Sequence, residues 1–237
     1  MHTCLSPCAE IDMSPREIVS ASLGKGLDLI AVTDHNSAEN AEATQRAAKG
    51  TRLEVLAGME ITSAEEVHVL ALFDSPEHAG TLQDIVQESL PSGENDEKLY
   101  GHQIIANEHN EVVGFNRRLL IAATSLGVHA IVERIRSLGG ISIASHVDKE
   151  AFSVLSQLGF IPDDLRFDAL ELSPRMIRSE AEAAFAALKG FPWVSFSDAH
   201  YIRDIGRRVT TFTLREATIE EMKKALNRAD GRDLFWG

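Results

Sequence analysis

Short apolar runs and amphipathic stretches alternate along most of the chain. The run 27–33 is nearly all apolar and ends in Val32 and Thr33, the pattern of a strand buried on both faces. Ahead of it, Ser14, Pro15 and Glu17 read as a helix start: an N-cap, a proline at the first helical position and a glutamate closing a capping box. That helix should run to about Leu23 and stop at Gly24. The pattern then predicts an alanine-rich helix near 39–48, strands over 53–61 and 67–73, and a helix over about 76–90. The alternation breaks at 91–115, where a polar loop precedes two short strand signals, 103–106 and 112–115, around a turn at 108–110. This stretch has too little apolar content for its own core and reads as an insertion. Regularity resumes with a helix over 128–138, strands over 141–144 and 167–172, a helix over 177–188, and strands over 193–197 and 209–214. Thr218 and Glu221 form a second capping box, opening a terminal helix.

Alternating strands and helices predict an α/β fold with a parallel sheet and helical crossovers. His35, Glu60, His146, Glu171, Asp198 and His200 all sit at or just past the C-terminal ends of predicted strands. In a (β/α) barrel those ends converge on one mouth, where the chemistry is found.

Composition narrows the function classes. With 237 residues, 44% hydrophobic and 25% charged, the chain suits one globular domain over 1–237 with a sizeable core. No apolar stretch approaches the roughly 20 residues of a membrane helix, and no signal peptide is visible, so no membrane partner is expected. Cys4 and Cys8 make no disulfide framework, and the cytoplasm is the expected compartment. The formal net charge of −13 is opposite to what phosphate-neutralising nucleic-acid binding needs, so no long nucleic acid is expected. A small anionic substrate stays compatible with a pocket holding its own cations. The sequence leaves the oligomeric state open.

The nine histidines divide into two sets. His78, His102, His109 and His129 lie in polar segments and read as solvated. His2, His35, His68, His146 and His200 sit beside strands or among acids, together with Asp34, Glu60 and Asp198. Burying that many ionisable groups without compensation costs several kcal/mol each. Divalent cations supply the compensation, and imidazole with carboxylate is the usual set for Zn, Mn or Fe. Thr33-Asp34-His35-Asn36 and Ser197-Asp198-Ala199-His200 each follow a strand directly. In an extended segment residues two apart point the same way, so Asp198 and His200 can face one cluster.

These motifs resemble the PHP superfamily, named for polymerase and histidinol phosphatase. The matching residues are His2, Asp34-His35, Gly58-Met59-Glu60, Ser145-His146 and Ser197-Asp198-Ala199-His200, in family order over nearly the whole chain. The resemblance implies a distorted (β/α)7 TIM-like barrel, two or three divalent metal ions and phosphoester hydrolysis. It implies a first metal held by His2, Glu60 and Asp198, and a second by Glu60, His68 and His146. A third falls to His35, His200 and Cys8, the last standing where many relatives have His. The family motif opens with His-x-His, and its first His would precede Met1. The first strand is therefore expected to be truncated, leaving an open seam.

The chemistry implied is attack by a water whose pKa is lowered between close cations. Asp34 is the expected catalytic residue, orienting that water or His35. Lys149, Arg175, Arg203, Arg207 and Arg208 are candidates to clamp a phosphate, with Lys149, Arg175 and Arg207 preferred as substrate-binding residues. No P-loop competes, because Gly24-Lys25-Gly26 lacks the upstream glycine spacing. The leading expectation is a metal-dependent phosphoesterase acting on a small phosphorylated metabolite, a nucleotide or a short oligonucleotide. The alternatives are an amidohydrolase-like hydrolase and a metal-binding regulatory domain with impaired catalysis.

Overall fold

The computed structural model describes residues 1–236. In chain order the regular elements are α1 (Pro15–Gly24), β1 (Leu29–Val32), α2 (Ala41–Ala48), β2 (Glu54–Thr62), β3 (His68–Phe73), α3 (Pro76–Glu88), α4 (Glu97–Tyr100), β4 (Ile104–Ala106) and β5 (Val112–Phe115). Then follow α5 (Val128–Ser137), β6 (Ile141–Ala144), α6 (Val154–Leu158), β7 (Ala169–Leu172), α7 (Arg178–Ala184), β8 (Trp193–Ser195), β9 (Thr210–Thr213), α8 (Ile219–Leu226) and β10 (Asp233–Trp236).

Six strands form one curled sheet in the order β1-β2-β3-β6-β7-β8. The curled sheet fits the distorted barrel that was expected, but its strands are not all parallel. β3 runs antiparallel to both β2 and β6, and β1 and β8 stand at the two ends of the sheet order. The physical reason is loop length. β2 ends at Thr62 and β3 begins at His68; so short a link makes a hairpin, whereas a parallel crossover needs about a dozen residues or more. β9 and β10 pair only with each other, and β4 with β5 makes a separate hairpin. The 209–214 strand signal thus belongs to a side hairpin and not to the main sheet.

Alternation splits the sheet into two faces. Leu56, Leu70, Leu72, Ile141, Ile143, Ala169 and Val194 share one core, capped by Ile219, Met222 and Leu226 of α8. The opposite face, with Val55, Ala57, Met59, Ile61, Val69, Ala71 and Phe73, joins the larger core under α1, α3 and α5. Both predicted capping boxes are altered. Ser14 is extended at the N-cap but makes no side-chain cap bond. Thr218 does accept from the Glu221 N–H, yet the Glu221 carboxylate turns to Arg232 and the Arg215 N–H. A guanidinium offers stronger, charge-assisted partners than one more cap amide.

The β4–β5 hairpin packs beside the first residues of the chain. Ile104 N–H donates to the Cys4 carbonyl, and Cys4, Ile104 and Ala106 form a small core of their own. The first residues in turn lie along the free edge of β1. The Met1 ammonium donates to the Ala31 carbonyl at 3.1 Å, and Thr33 N–H donates to the Met1 carbonyl at 2.9 Å.

Candidate metal centre

Glu60 is the middle of the site. It lies on the same face of β2 as Leu56 and Gly58, pointing into the curl of the sheet. Gly58 has no room for a Cβ, which would strike the Ala71 carbonyl on β3 and crowd the Val32 carbonyl on β1. The three strands therefore close up around Glu60. His35 follows β1 and bridges to Glu60 across the sheet. His68 opens β3. His146 and Asp198 follow β6 and β8 with φ of 31° and 46°, left-handed values uncommon for non-glycine residues. These turns bend the chain at the strand ends. His2 is pinned by its N–H donating to the Ala199 carbonyl.

The side chains converge. His2 Nε2 lies 3.4 Å from Glu60 and 3.6 Å from Asp198. His35 Nδ1, His68 Nδ1 and His146 Nε2 lie 3.6, 3.2 and 3.6 Å from Glu60. The His200 ring stacks on His2 with centroids 4.2 Å apart, and His200 Nδ1 sits 2.9 Å from the Asp198 carbonyl. Cys8, exposed at the rim, joins His2, His35 and His200 in a group whose donor atoms all lie within 4.8 Å of one another; His35, Glu60 and His68 form a second such group.

Asp34 is fully buried, and its oxygens accept from Thr3 N–H at 2.6 Å, the Thr3 hydroxyl at 2.7 Å and the Ser6 hydroxyl at 2.6 Å. Ser6 spends its single proton there. Its oxygen then accepts from His35 N–H at 3.1 Å and from His2 Nδ1 at 3.0 Å. Nδ1 of His2 therefore donates to Ser6, and Nε2 faces Glu60 and Asp198. Asp34 therefore reaches His2 and His35 through Ser6, a part the sequence expectation did not contain. Nothing in the spacing of Ser6 signals it, because the contact spans two distant loops.

The electrostatics follow from burial. Burial opposes a charged His2, but hydrogen bonding to Asp198 and Glu60 outweighs it and lifts the ring to about 9. Burial holds His146 and His200 near 4 and His35 well below its ordinary value. Glu60 stays well below the usual carboxylate range; burial opposes this, and the surrounding His68 and His2 overcome it. Glu171 is pushed up to about 8, by burial first and then by Asp198 and Glu60.

The fit to cations rests on orphaned donors. The Nδ1 atoms of His35, His68 and His146 are buried with no hydrogen-bond partner among the described residues. The orphaned nitrogens of His35 and His68 are the ones that face Glu60, while His146 turns Nε2 to it; imidazoles gathered on a buried carboxylate form a donor set that a divalent cation satisfies.

The predicted phosphate clamps fare unequally. Lys149 lies at the site, its ammonium 2.9 Å from Asp198. Arg207 is engaged elsewhere: it donates to the Ser197 carbonyl at 2.7 Å and faces Asp204 at 3.4 Å, bracing the loop that carries Asp198. Arg208 donates to the Pro174 and Met176 carbonyls, and Arg203 lies over the Tyr201 ring. Arg175 is exposed and makes no hydrogen bond or ion pair among the described residues. Phe152 was not foreseen. Its ring, partly exposed, stacks on His68 with centroids 4.5 Å apart.

Residues 1–158 match the PHP domain, and residues 179–230 match the PHP-associated region. The chain belongs to the PHP family. No curated protein sequence matches it. Among solved structures it is similar to a lesion-specific endonuclease from Pyrococcus furiosus, at TM-score 0.73 and 18% identity, covering 99% of this chain and 56% of that one. It is equally similar to Endonuclease Q in complex with a 27-mer duplex bearing an abasic lesion, at TM-score 0.74 and 19% identity, covering 98% and 56%. A two-domain protein from Bacteroides vulgatus containing a predicted PHP-like metal-dependent phosphoesterase matches at TM-score 0.56 and 15% identity, covering 99% and 62%. This PHP chain thus spans a little over half the length of the endonuclease chains.

The exclusion of long nucleic acid does not stand. Nearly the whole chain shares its fold with an enzyme seen on duplex DNA. Net charge sums the entire surface, whereas the field at a site is set by the cations and dipoles around it. No helix among the described residues is long and apolar enough to cross a membrane.

Proposed function

We propose that the chain hydrolyses phosphate esters at the cluster around Glu60, with a small phosphorylated metabolite, a nucleotide or a short oligonucleotide as substrate. The observation that carries this is the convergence of His2, His35, His68 and His146 on one buried carboxylate, with three of their ring nitrogens orphaned. In this reading His2, Glu60 and Asp198 hold one cation, Glu60, His68 and His146 a second, and His35, His200 and Cys8 a third. Divalent ions there, Zn, Mn or Fe, supply Lewis-acid activation of water and charge stabilisation on phosphate oxygens.

The chain's own residues do the positioning. Asp34 and Ser6 hold the His2 ring with Nε2 facing the site. Glu60 presents one oxygen toward His2 and His35 and the other toward His68 and His146. Lys149 places an exposed ammonium at the rim, where it can exchange Asp198 for a phosphate oxygen. Phe152 offers an apolar wall beside His68.

A second reading, cleavage of a phosphodiester in damaged nucleic acid, is favoured by the fold shared with Endonuclease Q over 98% of the chain. Elemental analysis of the purified protein, with a panel of phosphomonoesters, dinucleotide diesters and abasic duplex DNA, separates the readings. Turnover of monoesters or short diesters that is lost on chelation supports the first. Turnover of the abasic duplex alone replaces it with the second. A metal-free protein inert on every substrate, even after metal is added, overturns both.

A further inference from the structure

Cys8 brings the only sulfur to the donor groups found among the described residues. The fold holds it there from both sides. Two residues before it, the Ser6 hydroxyl accepts from the His35 N–H at 3.1 Å and donates to Asp34 at 2.6 Å. Two residues after it, the Glu10 N–H donates to the His200 carbonyl at 3.0 Å. Between these points the Ala9 N–H turns back to the Ser6 carbonyl at 3.0 Å. The loop that carries Cys8 is thus tied to the backbone of His35 and of His200. In consequence the donor atoms of Cys8, His35, His200 and His2 lie within 4.8 Å of one another. That separation is close to the span of two metal–ligand bonds of about 2.0–2.3 Å each. The rings are prepared as well. Nδ1 of His35 is buried with no partner among the described residues. Nδ1 of His200 donates to the Asp198 carbonyl at 2.9 Å, the kind of bond that orients a metal-binding imidazole.

We propose that Cys8 makes its position a zinc site: its thiolate, with His35 and His200, holds Zn²⁺ in preference to Mn²⁺, while the position at Glu60, His68 and His146 admits either ion. This rests on the metal-centre reading above and adds to it the identity of one ion. The reason is donor softness. Glu60, His68 and His146 offer nitrogen and oxygen, which serve both ions. A thiolate suits Zn²⁺ and discriminates against Mn²⁺. Zinc binding sends the thiol proton to solvent and takes the sulfur as thiolate. The centre then has two unlike positions, one fixed as zinc and one open to exchange.

The test loads the chelator-stripped full chain with Co²⁺, a substitute for zinc. A bond from Co²⁺ to a thiolate gives a near-ultraviolet charge-transfer absorption that nitrogen and oxygen ligands do not give. Cys4 is the only other cysteine, buried against Ile104 and Ala106, so Cys8→Ser and Cys4→Ser together assign the band. The expected result is a band in wild type and Cys4→Ser and none in Cys8→Ser. Wild type dialysed against excess Mn²⁺ should keep one zinc by elemental analysis, and Cys8→Ser should bind that zinc at least about tenfold more weakly by calorimetry. Should Cys8→Ser fail to fold, thiol alkylation of wild type decides the matter. Cys8, exposed at the rim, should be modified in the stripped chain and protected in the zinc-loaded one, as read by peptide mass. Cobalt uptake without the band, equal alkylation of Cys8 in both forms, or loss of all zinc to Mn²⁺ overturns the proposal and leaves the metal centre intact. A wild-type chain that takes up none of the three ions overturns both.

Discussion

Nε2 of His2 lies 3.4 Å from Oε2 of Glu60, while the other Glu60 oxygen faces His68 and His146. One carboxylate near the C-terminal end of β2 thus joins the first residues of the chain to strands that follow it. Glu60→Gln is expected to disturb two ions at once, His146→Ala mainly one, and His78→Ala none, because His78 stands on α3 away from the cluster. Elemental analysis of the three variants checks this. Equal stoichiometry in all three would show that the histidines are divided wrongly.

Asp34 acts through hydrogen bonds to Thr3 and Ser6. Asp34→Ala strands three buried donors and should cost about 3 kcal/mol of stability, while Ser6→Ala should cost about 1 kcal/mol. Both should weaken metal binding, by freeing the His2 ring. Denaturant unfolding and calorimetry read the two effects. An Asp34→Ala chain of wild-type stability would mean that the N-terminal loop is held by other contacts.

Gly58→Ala puts a methyl group against two backbone carbonyls that cannot swing aside. A loss of about 1–3 kcal/mol is expected, and metal content should fall as Glu60, two residues on, is displaced. Retention of both would show that β2 and β3 separate without cost.

Glu221 is the group whose titration bears on stability. Hydrogen bonding to Arg232, and then to the Arg215 N–H, lowers its carboxyl from 4.5 to about 2. A folded value below the unfolded one means stabilisation that is complete above about pH 4.5 and is lost as pH falls toward about 2. Glu221→Gln should therefore lower Tm at pH 7, with the gap to wild type closing across that window. A gap independent of pH would assign the effect to packing.

The edge of β1 beyond Met1 borders the cavity lined by Leu29, Ala31, Leu56, Leu70 and Phe212. Fusing an apolar strand that ends in His directly before Met1 should fill this space and raise Tm. The same strand ending in Ala should raise Tm equally but metal affinity less. Thermal melts and metal titration of the given, extended and Ala-extended chains test this. No change from either extension would show that the edge is already well covered.

Much of the local structure could be read along the chain. Pro15 marks the start of α1, Thr218 that of α8, and the apolar runs mark β1, β2, β3 and β6, because turn chemistry and side-chain period act over a few residues. The donor types at the strand ends, His35, Glu60, His146, Asp198 and His200, were legible for the same reason: a polar residue closing an apolar run has no local cause. Other features depend on partners far away in the chain and were not legible. Loop length and packing turned β3 antiparallel and left β1 and β8 at opposite ends of the sheet order. The Asp34 carboxylate went to Thr3 and Ser6, Arg207 to the Ser197 carbonyl, Glu221 to Arg232 and Glu171 to His146. A residue's type sets what it can bond, but its partner is whichever group the folded backbone brings within about 3 Å, and only tertiary packing decides that.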